Sequence, residues 1–140
     1  MDARVFVLPV LAMALLTFVV WLRLYQTRIG EMKRERIHPQ SVALSAQMAA
    51  RLTDTRAADN FRNLFELPVL FYVALMAAAL LQVQSMAFLV LAWLFVSARV
   101  AHSWIHCTYN KVMHRFKIYF LGGAVLWAMW AMLAWQVLGV

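Results

Sequence analysis

A chain of 140 residues that is 65% hydrophobic and only 14% charged is excluded as an ordinary soluble domain, because at this size too much apolar surface would stay at the water boundary. A mean hydropathy of +0.72 makes lipid the solvent for most of it. The net charge of +7 follows from membrane topology and does not call for a nucleic-acid partner, and the single Cys107 excludes an intrachain disulfide.

Taken in chain order, the first apolar run is "VFVLPVLAMALLTFVVWL", a helix over about residues 5–22. It is too long for the apolar region of a signal peptide, and no small-x-small cleavage pattern follows, so it reads as a retained span. A polar connection of about 26–55 comes next. In it "RIGEMKRERIHPQ" is punctuated by Gly30 and Pro39, and "SVALSAQMAARL" alternates small and apolar residues at helical spacing near the membrane surface. Thr53 or Thr55 is placed to cap the following helix. That helix, about 56–83, extends two turns out of the membrane before entering lipid near Leu64. The uncharged link "QVQS" leads to a third helix over about 86–106, and a fourth runs over about 117–138.

The fold class is therefore all-α and integral to the membrane, a single domain of four transmembrane helices with one structured loop. All but Arg4 of the 13 lysines and arginines lie in or beside the two connections on one side. By the positive-inside rule that side is cytoplasmic, and both termini are non-cytoplasmic.

Polar groups within a span are costly and mark a candidate site. Asp59, Asn63 and Glu66 share one helical stripe, and Arg62 is four residues from Glu66, within pairing reach. Arg99, His102 and His106 form a second stripe on helix three, and Glu66 and Arg99 enter the hydrocarbon at similar depth, which favours a direct charge pair. Pro68 removes a backbone donor and crowds the Leu64 carbonyl, loosening the helix where the polar stripe ends. Arg115, Lys117 and Tyr119 follow at the start of helix four. These groups converge on a cationic cavity open both to cytoplasm and to lipid. An anionic soluble cosubstrate can meet an apolar membrane-borne one there.

The motifs "RNLFELP" (Arg62 to Pro68), "ARVAHSWIH" (Ala98 to His106) and "RFKIY" (Arg115 to Tyr119) resemble those of the membrane-associated proteins in eicosanoid and glutathione metabolism, the MAPEG family. The likeness covers nearly the whole chain and is greatest to bacterial members, which implies an inner-membrane protein. It also implies a homotrimer with glutathione as cosubstrate, an apolar small molecule as second substrate and membrane lipid as surroundings. Position by position, it implies that Arg62, Asn63, Glu66, Arg99, His102 and Tyr119 hold glutathione and that Arg115 is catalytic, facing the sulfur. His106, Tyr109 and Arg56 are further candidates. Two positions depart from the pattern of catalytic relatives. Asp59 stands where they carry arginine, and would repel a carboxylate; His106 stands where they carry tyrosine.

The activity implied is that of a glutathione transferase or peroxidase. The alternative is a non-catalytic scaffold or lipid-binding module of the same fold. A third reading, metal binding, rests on the four-residue spacing of His102 and His106 with Cys107 and His114 nearby; the favoured assignment has no metal.

Overall fold

The computed structural model describes residues 2–139. It is all-helical, with α1 Val7–Arg34, α2 Ser45–Arg51, α3 Arg56–Asn63, α4 Leu67–Leu80, α5 Met86–Cys107 and α6 Val112–Leu138. Short 3-10 turns at Ala3–Phe6 and Pro39–Val42 precede α1 and α2. Among the described residues, four stretches are long and apolar enough to cross a membrane: residues 4–34, 56–80, 86–107 and 112–138. Large apolar side chains such as Leu80, Trp104, Trp127 and Trp135 point outward, as expected where lipid replaces water.

α1 runs well past the expected end near residue 22, because "TRIGEMKR" is a good helical sequence despite Gly30. Its overhang has a use. Glu31, only 4% exposed, accepts hydrogen bonds from the Thr53 backbone N–H at 2.7 Å, the Thr53 hydroxyl at 2.6 Å and the Asp54 N–H at 3.2 Å. A buried carboxylate so satisfied ties the returning loop to α1.

The helix expected over 56–83 is two helices. Pro68, in the first turn of α4, cannot donate to Leu64 and its ring crowds that carbonyl. The chain therefore turns through short-range bonds, Phe65 N–H to Arg62 O at 3.0 Å and Glu66 N–H to Asn63 O at 3.2 Å. Thr55 occupies the N-cap position of α3, one of the two expected, but its side chain makes no capping bond. Thr53 is engaged by Glu31, and the Thr55 hydroxyl donates to Asp59 Oδ2 at 2.8 Å. The first free N–H, that of Arg56, instead meets Asp54 Oδ1 at 3.3 Å. α6 begins at Val112, earlier than the expected 117, so the site arginine lies within helix.

Three connections close on residues in the left-handed region, none of them glycine: Arg36 (φ 52°), Gln82 (φ 51°) and Asn110 (φ 49°). After α1 and α4 the pattern is a Schellman cap, with Ile37 N–H reaching Met32 O and Val83 N–H reaching Ala78 O, both at 2.9 Å.

The bundle core is layered. Phe71 of α4 stacks on Phe95 of α5 at 4.5 Å between centroids, and Phe6 meets Phe88 edge-on at 5.8 Å. Met13, Ala74, Ala78, Ala92, Leu126 and Met129 fill the space between them with no exposure. α5 and α6 approach closely where Gly122 faces Ala98, a Cβ on the glycine lying 3.5 Å from the alanine Cβ. This small-on-small contact adjoins Arg99 and draws α6 to the polar end of α5.

Candidate functional site

α3 is stitched to α5 by an antiparallel ladder of polar contacts. Arg56 Nη1 donates to the Thr108 carbonyl at the end of α5. One turn on, fully buried Asn60 accepts from the Ser103 hydroxyl at 3.3 Å and donates to Cys107 Sγ at 3.5 Å. Asn63 completes the ladder. Its side-chain carbonyl accepts from Arg99 Nη2, which also lies 3.4 Å from the Asn63 main-chain carbonyl.

The expected direct pair between Glu66 and Arg99 is replaced by a relay. Asn63 Nδ2 donates to Glu66 Oε2 at 2.7 Å while Asn63 Oδ1 accepts from Arg99. An amide has a donor and an acceptor on one group, so it can join an exposed carboxylate to a buried guanidinium without burying both charges. The Arg62–Glu66 pair does not form either; Arg62 Nη1 is instead 4.0 Å from Asp59 Oδ1.

Arg99 is 1% exposed. Its guanidinium carbon lies 5.7 Å from the centre of the Tyr119 ring, a cation–π contact between α5 and α6. His102 is 5.7 Å from the same ring and 5.5 Å from His106. Arg99 Nε and Nη1, with Nδ1 of both histidines, are buried without a hydrogen-bond partner among the described residues.

Over this layer opens a cleft of about 420 Å³. α3 contributes Asp59, Arg62 and Asn63, and the break contributes Glu66. α5 gives His102 and His106, and α6 gives Val112, Arg115, Phe116 and Tyr119. Arg115 is held by Asn110, whose Oδ1 accepts from Nη1 at 2.6 Å. Its volume is within the roughly 300–1,000 Å³ of small-molecule sites.

The cleft thus gathers seven of the ten sequence candidates: Arg62, Asn63, Glu66, His102, His106, Arg115 and Tyr119. Arg99 lies beneath it, not in its lining. Arg56 is outside, its guanidinium forked onto Asp54 at 2.8 and 2.9 Å as well as tied to Thr108. Tyr109 is also outside, its hydroxyl 3.2 Å from His114 Nδ1. Sequence reasoning missed Asn60, Asn110 and Glu31. Asn60 carried a signal, standing at i+4 from Arg56 and i−3 from Asn63 on the face turned to α5. Among the described residues no group of three or more His, Cys, Asp or Glu is placed to hold a metal ion. A second groove of about 550 Å³, between α1 and α5, is mostly apolar, with Leu16, Val20, Val100 and Trp104 in its walls and Arg23 at one end.

Four apolar spans around a mixed-charge cleft define a polytopic helical membrane protein with a polar site in its bundle. The family model described as MAPEG family matches residues 6–135, nearly the whole chain, and the protein belongs to that family. No curated protein and no solved structure matches it significantly.

Proposed function

We propose that the protein is a membrane-bound glutathione transferase or peroxidase, working as a homotrimer with the basic end of its bundle in the cytoplasm. Family membership supports a role in this metabolism broadly. The observation that carries the specific reading is the convergence of Arg115, Tyr119, His102, Asn63, Arg62 and Glu66, from three parts of the chain, on one open cleft.

Arg115 is the catalytic residue in this reading. Free thiols titrate near about 8.5, and a fixed guanidinium at the sulfur favours the thiolate, which is the nucleophile. Asn110 holds that guanidinium from the connection between α5 and α6. Arg62, Asn63, Glu66, His102 and Tyr119 bind the tripeptide, and His106 borders it. Arg99 acts from beneath as a positioning residue, fixing the Asn63 amide through its own donor. Arg56 and Tyr109, occupied elsewhere, take no part.

With an apolar electrophile arriving from the bilayer, the thiolate forms a C–S bond as the bond to the leaving group breaks, and the leaving group departs with the electron pair. With a lipid hydroperoxide, the thiolate takes the terminal oxygen and the O–O bond breaks. The alkoxide is protonated to the alcohol, and a second glutathione converts the sulfenic acid to disulfide and water.

The test is conjugation of an aromatic chloride by purified protein in detergent, with calorimetry of glutathione binding. Turnover is expected, with Arg115→Ala losing about 10²-fold or more while the oligomer elutes unchanged. A non-catalytic scaffold of the same fold draws its support from Asp59, an acid in a cleft meant for an anion. It predicts no turnover, no binding and no effect of Arg115→Ala.

A further inference from the structure

The lining of the cleft carries two arginines, Arg62 and Arg115, and two acids, Asp59 and Glu66. Their partners set them apart. Arg115 is anchored by Asn110 at 2.6 Å, and the Glu66 carboxylate is engaged by the Asn63 amide at 2.7 Å. Asp59 and Arg62 are left facing each other, Oδ1 to Nη1 at 4.0 Å, with side chains 47% and 78% exposed. The other Asp59 oxygen is fixed by the Thr55 hydroxyl at 2.8 Å, so the carboxylate is oriented though open. An ion pair this loose and this exposed contributes little to the fold, and a ligand that replaces each half with a better partner displaces it at small cost.

An acid and a base side by side, one turn apart on α3, match a group whose ammonium and carboxylate share one carbon. We infer that Asp59 and Arg62 read the α-amino-acid end of the thiol cosubstrate, Asp59 taking the ammonium and Arg62 the carboxylate. The inference rests on the thiol-cosubstrate reading above and names which thiols qualify. The ligand class is thiols bearing a free α-amino-acid head. Asp59, the acid that would repel a carboxylate, becomes the specificity determinant for an ammonium.

The experiment is calorimetry on the protein in detergent with four probes: glutathione, N-acetylglutathione, the glycyl monoethyl ester of glutathione and its α-carboxamide. In the wild type, N-acetylation is expected to weaken binding about tenfold or more, as loss of a charge-assisted contact does. In Asp59→Asn, whose amide still accepts from Thr55, the N-acetylation penalty falls below about threefold while the ester still binds, which reports an intact cleft. Arg62→Gln, probed with the α-carboxamide, gives the matching result for the other half. Equal binding of glutathione and its N-acetyl form overturns the inference, and so does an N-acetylation penalty that persists in Asp59→Asn. If no probe binds the wild type, the thiol-cosubstrate reading itself falls and takes this inference with it.

Discussion

Arg99 of α5 donates through Nη2 to the side-chain carbonyl of Asn63, and the amide nitrogen of Asn63 donates onward to Glu66 at 2.7 Å. One buried cation is thereby coupled to one exposed acid across the break between α3 and α4. At the break the Asn63 main-chain carbonyl accepts only the short-range bond from Glu66 N–H at 3.2 Å, and Arg99 Nη2 approaches the same oxygen at 3.4 Å.

Removing the middle of the relay should cost more than removing its buried end. Asn63→Ala leaves Arg99 buried with a further orphaned donor and is expected to lower stability by about 1.5–3 kcal/mol. Arg99→Met removes the cation and leaves the half-buried Asn63 with solvent as an alternative, so its loss is smaller. Thermal unfolding in detergent ranks the two; a greater loss in Arg99→Met would contradict the account.

Asn110 has two roles that substitution can separate. It occupies the left-handed region at φ 49°, and it holds Arg115. Asn110→Gly keeps the backbone and frees the arginine, so turnover should fall about tenfold with little change in unfolding temperature. Asn110→Ala should lose both turnover and about 1 kcal/mol of stability.

The cap of α1 is open to improvement. Arg36 is in the left-handed region at φ 52° and is exposed. Arg36→Gly relieves the Cβ crowding and is expected to stabilise by about 1 kcal/mol, read as a higher unfolding temperature with unchanged binding.

Asp54 supplies the pH-dependent test. The bidentate Arg56 guanidinium holds its carboxyl below the usual range, a hydrogen-bond effect that outweighs burial. A depressed folded-state value means stability present above the ordinary carboxylate pKa, about 3.9. It is lost as pH falls through the lower folded value. Asp54→Asn should therefore unfold at a lower temperature than wild type at pH 7, and the gap should close only below about pH 4. A gap that is the same at pH 7 and pH 3 would show that the ion pair is not the cause.

The four spans, the polar loop and the concentration of charge at one end were all legible in the sequence, because hydropathy and helical period are local properties that each segment displays in its own residues. The two polar stripes were legible for the same reason. Which stripe atom meets which was not. The sequence puts Glu66 and Arg99 at one depth and Arg62 four residues from Glu66, yet Asn63 lies between the first two and Asp59 takes Arg62. Those outcomes turn on a helix break at Leu64–Glu66 and on the close approach of Gly122 to Ala98, which brings Tyr119 over Arg99. A hydrogen bond is satisfied or lost over a fraction of an ångström, and such distances exist only once the helices are packed against one another.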